Sequence, residues 1–361
     1  MNAIRWWRTK LGDNEGQRIV ASIEQECLSQ GAVTAELERQ VAASMNVSYA
    51  VATTSGSMAL LMALLSLGIG PGDEVIVPNR TFIATAHAVL LCGATVVLAD
   101  TRQDLPLIDL EQAEQLITKR TKAIMPVHLC GRDAGMAEIR QFAKERGLFV
   151  VEDACQAMFS RNGDGFLGTQ GDIGCFSLGV TKLLTTGQGG LLVTNDEALY
   201  QRLKLLRIHG VKDTFEAAYG QFGFNFRFND ILASIGLEQM AHRAEKVERV
   251  RAIYDRYREG LQDLEPVRLL PVRETEGEIP LYIEVLCQDR EQVRRYLAEQ
   301  QIESRPFLPN LHLSPHLHAQ GKYPKSQRFH EQGLFLPSGP AQPMENIDQV
   351  IACLRAYAKS C

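Results

Sequence analysis

From Tyr49 to Glu152 short apolar runs of strand character alternate with stretches of helical spacing, and this alternation constrains the fold more than any other feature. The runs Tyr49–Ala52, Glu74–Pro78, Thr95–Ala99, Ala123–Val127 and Leu148–Glu152 read as strands. Between them, Met58–Leu67, Thr81–Leu91, Leu110–Ile117 and Met136–Glu145 read as helices, the first closed by Gly68 and Gly70-Pro71-Gly72. Strands that follow one another through helices need crossover connections, so the expectation is an α/β fold with a mostly parallel central sheet flanked by helices. Ile173–Leu178 and Gly190–Val193 bracket a glycine-rich turn and break the rhythm. Upstream, Ile19, Ile23, Cys27, Leu37 and Val41 predict two helices between Asn14 and Met45, around a break at Gln30-Gly31. Downstream, a long helical stretch from Asp230 to about Leu264 leads into a smaller α+β region ending at Cys361. The expected division is a large ligand-binding domain over 1–245, with its N-terminal residues free to pack on the other domain, and a small C-terminal domain over 246–361.

The charge balance narrows the partners. A formal net charge of −5 over 361 residues argues against a nucleic-acid face, which concentrates uncompensated Lys and Arg. Small molecules are expected instead. Eight cysteines are scattered without a C-x-x-C pair, so no metal site is expected, and most should be reduced core residues. Met1–Asp13 holds two tryptophans but no apolar signal core, and no later run gives eighteen uninterrupted apolar residues. The expectation is a cytoplasmic protein that neither enters nor crosses a membrane.

Three segments carry chemistry. Thr53-Thr54-Ser55-Gly56-Ser57-Met58 leaves a strand and enters a helix, so free N–H groups and hydroxyls there can meet a phosphate, or the same residues can simply cap the helix. Asp153 closes a strand that reads as buried, where ligands sit in open α/β sheets. It would suit the protonated nitrogen of a pyridoxal ring, or serve as a helix N-cap. Lys182 stands among apolar and small residues between two strands, surroundings that should lower its pKa and favour imine formation; alternatively it is a solvated charge in a tight turn. Phosphate cup, strand-end acid and secluded lysine occur here in the order used by type I pyridoxal enzymes.

The chain resembles the DegT/DnrJ/StrS nucleotide-sugar aminotransferases over nearly its whole length. The likeness is carried by Thr54 to Ser57, by Gly70 to Pro78 with Thr81-Phe82, and by Val151 to Gln156. Ser177 to Lys182 with Gly187 to Gly190, and Gly223 to Arg227, extend it; Arg305-Pro306-Phe307 and Leu334 to Pro337 match more weakly. The resemblance implies a type I, aspartate aminotransferase-like fold and pyridoxal 5'-phosphate as cofactor, alternating with pyridoxamine 5'-phosphate. It implies that Lys182 bonds the cofactor and moves the proton, Asp153 pairs with the ring nitrogen, Gln156 touches the phenolic oxygen and Phe82 covers the ring. Ser55, Gly56, Ser57 and Ser177 would hold the phosphate, with Asn225 reaching in from a second subunit, so that a homodimer shares its active sites.

The amino donor implied is L-glutamate and the acceptor a nucleotide-linked keto-deoxysugar, for surface polysaccharide, glycan or natural-product synthesis. A keto-cyclitol or free keto sugar as acceptor, or a non-catalytic cofactor-binding regulator, are the alternatives. Departures from the family pattern are Ser57 in place of Thr, Cys155 in place of Ala, and Asn79-Arg80, where Arg80 is expected to face the surface or, so near the ring, to bind a substrate phosphate or carboxylate. Lys182 itself, where related dehydratases carry His, favours transamination.

Overall fold

The computed structural model describes residues 3–12, 14–212 and 219–360; Cys361 lies outside them. Helices α1 (Asn14–Glu24) and α2 (Ala32–Ser44) precede the first strand, with the expected break between them. Then come β1 (Tyr49–Thr53), α3 (Gly56–Ser66), β2 (Glu74–Pro78), α4 (Ala84–Leu91), β3 (Thr95–Ala99), α5 (Leu110–Gln115), β4 (Thr121–Ile124), α6 (Met136–Arg146) and β5 (Phe149–Asp153). A short ribbon of β6 (Arg161–Asn162) and β7 (Gly165–Phe166) leads to β8 (Ile173–Ser177) and β9 (Gly190–Thr194). The expected α/β fold is therefore present, with a central sheet ordered β1-β9-β8-β5-β4-β2-β3. Its pairs from β8 to β3 are parallel, while β9 runs antiparallel to both neighbours.

That topology places the site. Because β9 alone is reversed, β1, β2, β5 and β8 all end at the edge where β9 begins. Thr53 and Ser177 both pair with Gly190 there, so Ser55–Gly56, Thr81–Phe82, Asp153 and the Lys182 loop leave the sheet side by side. Strands β2 and β9 are buried along their full length, as expected of a sheet covered on both faces.

Three boundaries differ from expectation. Helix α3 begins at Gly56, because Ser55 Oγ caps it by accepting from Met58 N at 3.2 Å. Helix α4 begins at Ala84, leaving Thr81 to Ile83 as a turn beside the cleft. Strand β4 stops at Ile124, and Val127 rejoins the sheet only as a bridge to Asp153. Helix α7 (Glu197–Arg207), capped by Asp196, was not among the expected helices; it lies against α3 and β1.

The long helical stretch is two helices, α8 (Asp230–Ala241) and α9 (Arg243–Gly260), interrupted at His242. Beyond it β10 (Val267–Leu269), β11 (Ile283–Cys287), β12 (Arg305–Pro306) and β13 (Gly333–Leu336) form an antiparallel sheet ordered β10-β11-β13-β12. Helices α10 (Arg290–Glu299), α11 (Pro324–Gln332) and α12 (Met344–Ser360) accompany it. The N-terminal arm lies against this second sheet, through bridges of Ile4 to Ile302 and Trp7 to Ser338. One core cluster, including Trp6, Phe176, Leu178, Leu183, Tyr282 and Phe335, spans both sheets beside the site. Among the described residues no helix is long and apolar enough to cross a membrane.

Candidate active site

A cleft of about 500 Å³ opens at the edge where β1, β2, β5 and β8 end. It collects Ser55, Gly56 and Ser57 from the start of α3, Phe82 from the turn after β2, Asp153 from the end of β5 with Gln156 just after it, Ser177 from the end of β8 and Lys182 from the loop that follows. The expected residues that belong to a single chain's site are thus in one place.

Two acids end β5, and strand alternation sends them to opposite faces. Glu152 is consumed by structure: its carboxylate accepts from the amides of Gly168 (2.7 Å) and Gln170 (2.6 Å) and meets His128 Nε2 at 2.8 Å. Asp153 is buried at the cleft floor. Its Oδ2 accepts from Thr85 Oγ1 at 2.8 Å, its Oδ1 from Cys155 N at 3.2 Å, and it has no ion pair among the described residues. A buried carboxylate oriented by two donors but without an ion-pair contact suits a protonated ring nitrogen. Gln156 points its amide oxygen away, accepting from Cys130 N at 2.9 Å, which leaves the Nε2 donor for an acceptor such as a phenolic oxygen.

The phosphate cup is a matter of close approach. A Cβ on Gly56 would come within 2.9 Å of Ser177 Cβ and 3.0 Å of Cys155 Sγ, and one on Gly190 within 2.2 Å of the Ser55 carbonyl oxygen. Only glycines let the start of α3 sit this tightly on β8 and β9, with its leading N–H groups and the Ser57 hydroxyl at the cleft. An eleven-residue helix aimed in this way favours an anion. With the orphan carboxylate, the cup and the lysine on one cleft, the residues fit pyridoxal phosphate.

Lys182 corrects one expectation. Burial pushes its ammonium down, but its interactions with Tyr282, Cys155 and Asp153 outweigh that, and the net shift is upward. The expected apolar seclusion is therefore incomplete. Tyr282, just ahead of β11, lies with its ring centroid 5.9 Å from Lys182 Nζ and donates to the Thr181 carbonyl at 2.9 Å. Burial also pushes the Cys155 thiol well up.

Arg80 is a second correction. It is 3 % exposed, not at the surface, because it reaches across the gap between the sheets: Nη1 donates to the Leu308 carbonyl and the guanidinium lies 4.6 Å from the Phe307 ring centroid. Burial lowers its pKa to about 10, against the opposing pull of Glu284. Asn225 does not line its own chain's cleft. It is exposed, and its Oδ1 accepts from Arg227 Nε at 3.0 Å.

The residues that sequence reasoning missed come from the other sheet and the arm. Trp6, Tyr282, Leu308 and Phe335 line the cleft, and Arg305 stands over Trp6 at 4.4 Å. The weak matches around Arg305 and Leu334 were the available signal; nothing local marked Tyr282.

Comparison with known proteins agrees with this geometry. The model of the DegT/DnrJ/EryC1/StrS aminotransferase family matches residues 9–355. The GDP-perosamine synthase of Escherichia coli O157:H7 is 35% identical over 344 residues, covering 92% of this chain and 93% of that protein. The dTDP-3-amino-3,4,6-trideoxy-alpha-D-glucose transaminase of Streptomyces venezuelae is 34% identical over 328 residues, 89% of this chain and 86% of its own. The solved structure of S. venezuelae DesV in complex with a ketimine intermediate superposes with a TM-score of 0.95 at 32% identity, over 99% of each chain.

Proposed function

The chain belongs to the DegT/DnrJ/EryC1/StrS aminotransferase family and is a pyridoxal-phosphate-dependent enzyme of aspartate aminotransferase-like fold, and from that premise we propose that it moves the amino group of L-glutamate onto a nucleotide-linked keto-deoxysugar. The observation that carries this reading is the meeting of Lys182, the unpaired Asp153 and the start of α3 on one cleft. The sugar-nucleotide acceptor is supported by the relatives, whose names specify GDP- and dTDP-linked amino sugars.

Bound in the cleft, pyridoxal phosphate supplies an electron-withdrawing ring and a carbonyl that carries the amino group between the two substrates. The chain's own residues do the rest. Gly56, Ser57 and Ser177 hold the phosphate, joined by Asn225 of the partner subunit, and Phe82, half exposed at the cleft, covers a ring face. Asp153 Oδ2, fixed by Thr85, keeps the ring nitrogen protonated, and Gln156 Nε2 donates to the phenolic oxygen. Lys182 Nζ takes the proton from the donor's α-carbon and delivers one to the sugar carbon that gains the amine. Pairing of Asp153 with the protonated ring nitrogen would offset one of the charges that hold the Lys182 ammonium, which favours the free amine this role needs. Tyr282 and Phe335 close the cleft against water.

A homodimer follows from the same reading. Tyr219, Phe222 and Phe224 are 81, 67 and 58 % exposed beside Asn225, an aromatic strip that favours burial against a second copy. Among the described residues seven free cysteines, four of them buried, suit a reducing cytoplasm. The test is spectroscopic: L-glutamate should bleach the visible absorbance of the holoenzyme, and a keto-sugar nucleotide should restore it. Holoenzyme that no amino acid bleaches would sink the proposal.

A further inference from the structure

Lys182 meets a partner from beside the other sheet. Its Nζ lies 5.9 Å from the Tyr282 ring centroid, within reach of a cation–π contact, and makes a hydrogen-bonding contact with the Tyr282 hydroxyl. Burial disfavours the ammonium, and Tyr282 leads the interactions that outweigh it. The other charged or titratable groups on the cleft with Lys182 are Asp153 at the end of β5, Cys155 just after it, and Arg305 of β12.

Toward the lysine the Tyr282 hydroxyl is an acceptor. A phenol has one hydrogen, and here that hydrogen goes to the Thr181 carbonyl at 2.9 Å. The oxygen's lone pairs remain, and Thr181 Oγ1, 3.2 Å away, can donate to one and leave the other to Lys182. An amine held through one of its own N–H groups keeps its nitrogen lone pair uncovered, so it can still take a proton. A donor in the same place would occupy that lone pair.

The hydroxyl is also fixed in place. Tyr282 is 6 % exposed, and its ring packs against Trp6, Trp7 and Phe335 with centroids 5.7, 5.4 and 5.5 Å away. Trp7 and Phe335 meet it edge to face and Trp6 at a tilt, arrangements that aromatic rings favour. The two tryptophans belong to the arm and Phe335 to β13, so arm and second sheet together aim the hydroxyl at the loop after β8. The arm holds that loop directly as well, since Thr9 Oγ1 donates to the Val180 carbonyl at 2.7 Å.

We propose that Tyr282 is the positioning residue of Lys182: its hydroxyl oxygen receives an N–H of the lysine whenever the amine is not bonded to the cofactor, and turns the nitrogen lone pair toward the donor's α-carbon. The inference rests on the aminotransferase reading above and deepens it. A freed lysine on its flexible four-carbon stem samples many rotamers, and a rigid acceptor selects one. The same contact favours the ammonium, while pairing of Asp153 with the ring nitrogen pulls the other way.

The proton affinity of Lys182 is the quantity to measure. Only the unprotonated amine bonds pyridoxal phosphate, so the rate at which the full-length apoenzyme gains visible absorbance, followed against pH, has a midpoint set by that lysine. Borohydride reduction and peptide mapping fix the label on Lys182 and so assign the midpoint. The proteins compared are wild type, Tyr282→Phe, which keeps the ring and loses the hydroxyl, and Tyr282→Met, which fills the space without a ring should the first variant not fold.

In the variants the midpoint should fall by about one pH unit or more, the scale of a hydrogen bond to a charged group. When glutamate bleaches the holoenzyme, the saturating rate should fall by about tenfold or more, with the half-saturating concentration unchanged within about twofold. That split marks an effect on proton transfer and not on donor binding. A midpoint equal to that of the wild type overturns the proposal. So does an uptake rate lowered equally at every pH, which would make Tyr282 a support for the loop and nothing more. Should glutamate bleach none of the proteins, the aminotransferase reading fails while the uptake midpoint still judges Tyr282.

Discussion

Thr85 Oγ1 donates to Asp153 Oδ2 at 2.8 Å and stands 2.9 Å from Thr81 Oγ1, so the first turn of α4 holds the acid at the end of β5 in a single orientation. Replacing Asp153 with Asn keeps this contact, since the amide oxygen still accepts, but removes the charge that would keep a ring nitrogen protonated. Asp153→Asn should fold normally and lose about a hundredfold or more in turnover, within the range that acid–base groups supply. Near-normal turnover would reduce Asp153 to a cap on the following turn.

Thr85→Val leaves the charge and removes its guide. A hydrogen bond to a charged group is worth about 1.5–3 kcal/mol, so turnover should fall by roughly ten- to a hundredfold, less than in Asp153→Asn. Steady-state kinetics of the two single variants and the double variant would check this. Losses that simply multiply would show that the two residues act separately.

Gly56→Ala tests the cup. The added methyl would lie 2.9 Å from Ser177 Cβ and 3.0 Å from Cys155 Sγ, forcing the start of α3 away from β8. Alanine is otherwise favoured over glycine in a helix. The variant should therefore stay folded yet bind pyridoxal phosphate at least about tenfold more weakly, a difference of about 1.4 kcal/mol that equilibrium dialysis can measure. Unchanged cofactor affinity would place the phosphate elsewhere.

Lys246 sets a pH dependence of stability. It is 2 % exposed, and burial lowers its pKa from 10.5 to about 8, with Glu15 opposing and Lys10 assisting. Below pH 8 both folded and unfolded chains hold the proton, and the folded chain bears the burden of a buried charge. Between about 8 and 10.5 only the unfolded chain holds it, so this group's contribution to stability rises with pH across that window. Unfolding midpoints of the wild type should therefore gain on those of Lys246→Met between pH 7.5 and roughly 10. A constant gap would mean that the lysine stays charged inside the fold.

What could be read from the chain follows the range of the interactions involved. The strand–helix alternation and the segments at Gly56, Asp153 and Lys182 are local patterns, and the sheet order gathers them at one edge. Lys182's neighbourhood departs from the sequence expectation because the charge balance depends on Tyr282, a hundred residues away in sequence and just ahead of a strand of the other sheet. Arg80 was misplaced for the same reason. Beside Thr81 it has the look of a surface cation, and only the fold brings Leu308 and Phe307 over it. The start of α4 was set too early since Thr81 to Ile83 continue the apolar spacing but are used at the cleft.

The last prediction concerns Asn225, which is exposed in its own chain and absent from that chain's cleft. If a dimer brings it to the phosphate of the neighbouring site, each site draws Lys182 from one chain and Asn225 from the other. Lys182→Ala then damages one chain's lysine but leaves its Asn225 usable, while Asn225→Asp, whose added charge repels phosphate, leaves the lysine usable. Subunits of the two inactive variants, allowed to exchange, form hybrids in which one site carries both defects and the other carries neither. About half of a randomly exchanged equimolar mixture is such hybrids, so roughly a quarter of the wild-type activity per site should return. Native mass measurements establish that exchange has occurred, and the activity assay reads the outcome. Hybrids that form but stay inactive would assign both residues to the same chain's site and leave Asn225 as a surface turn residue held by Arg227.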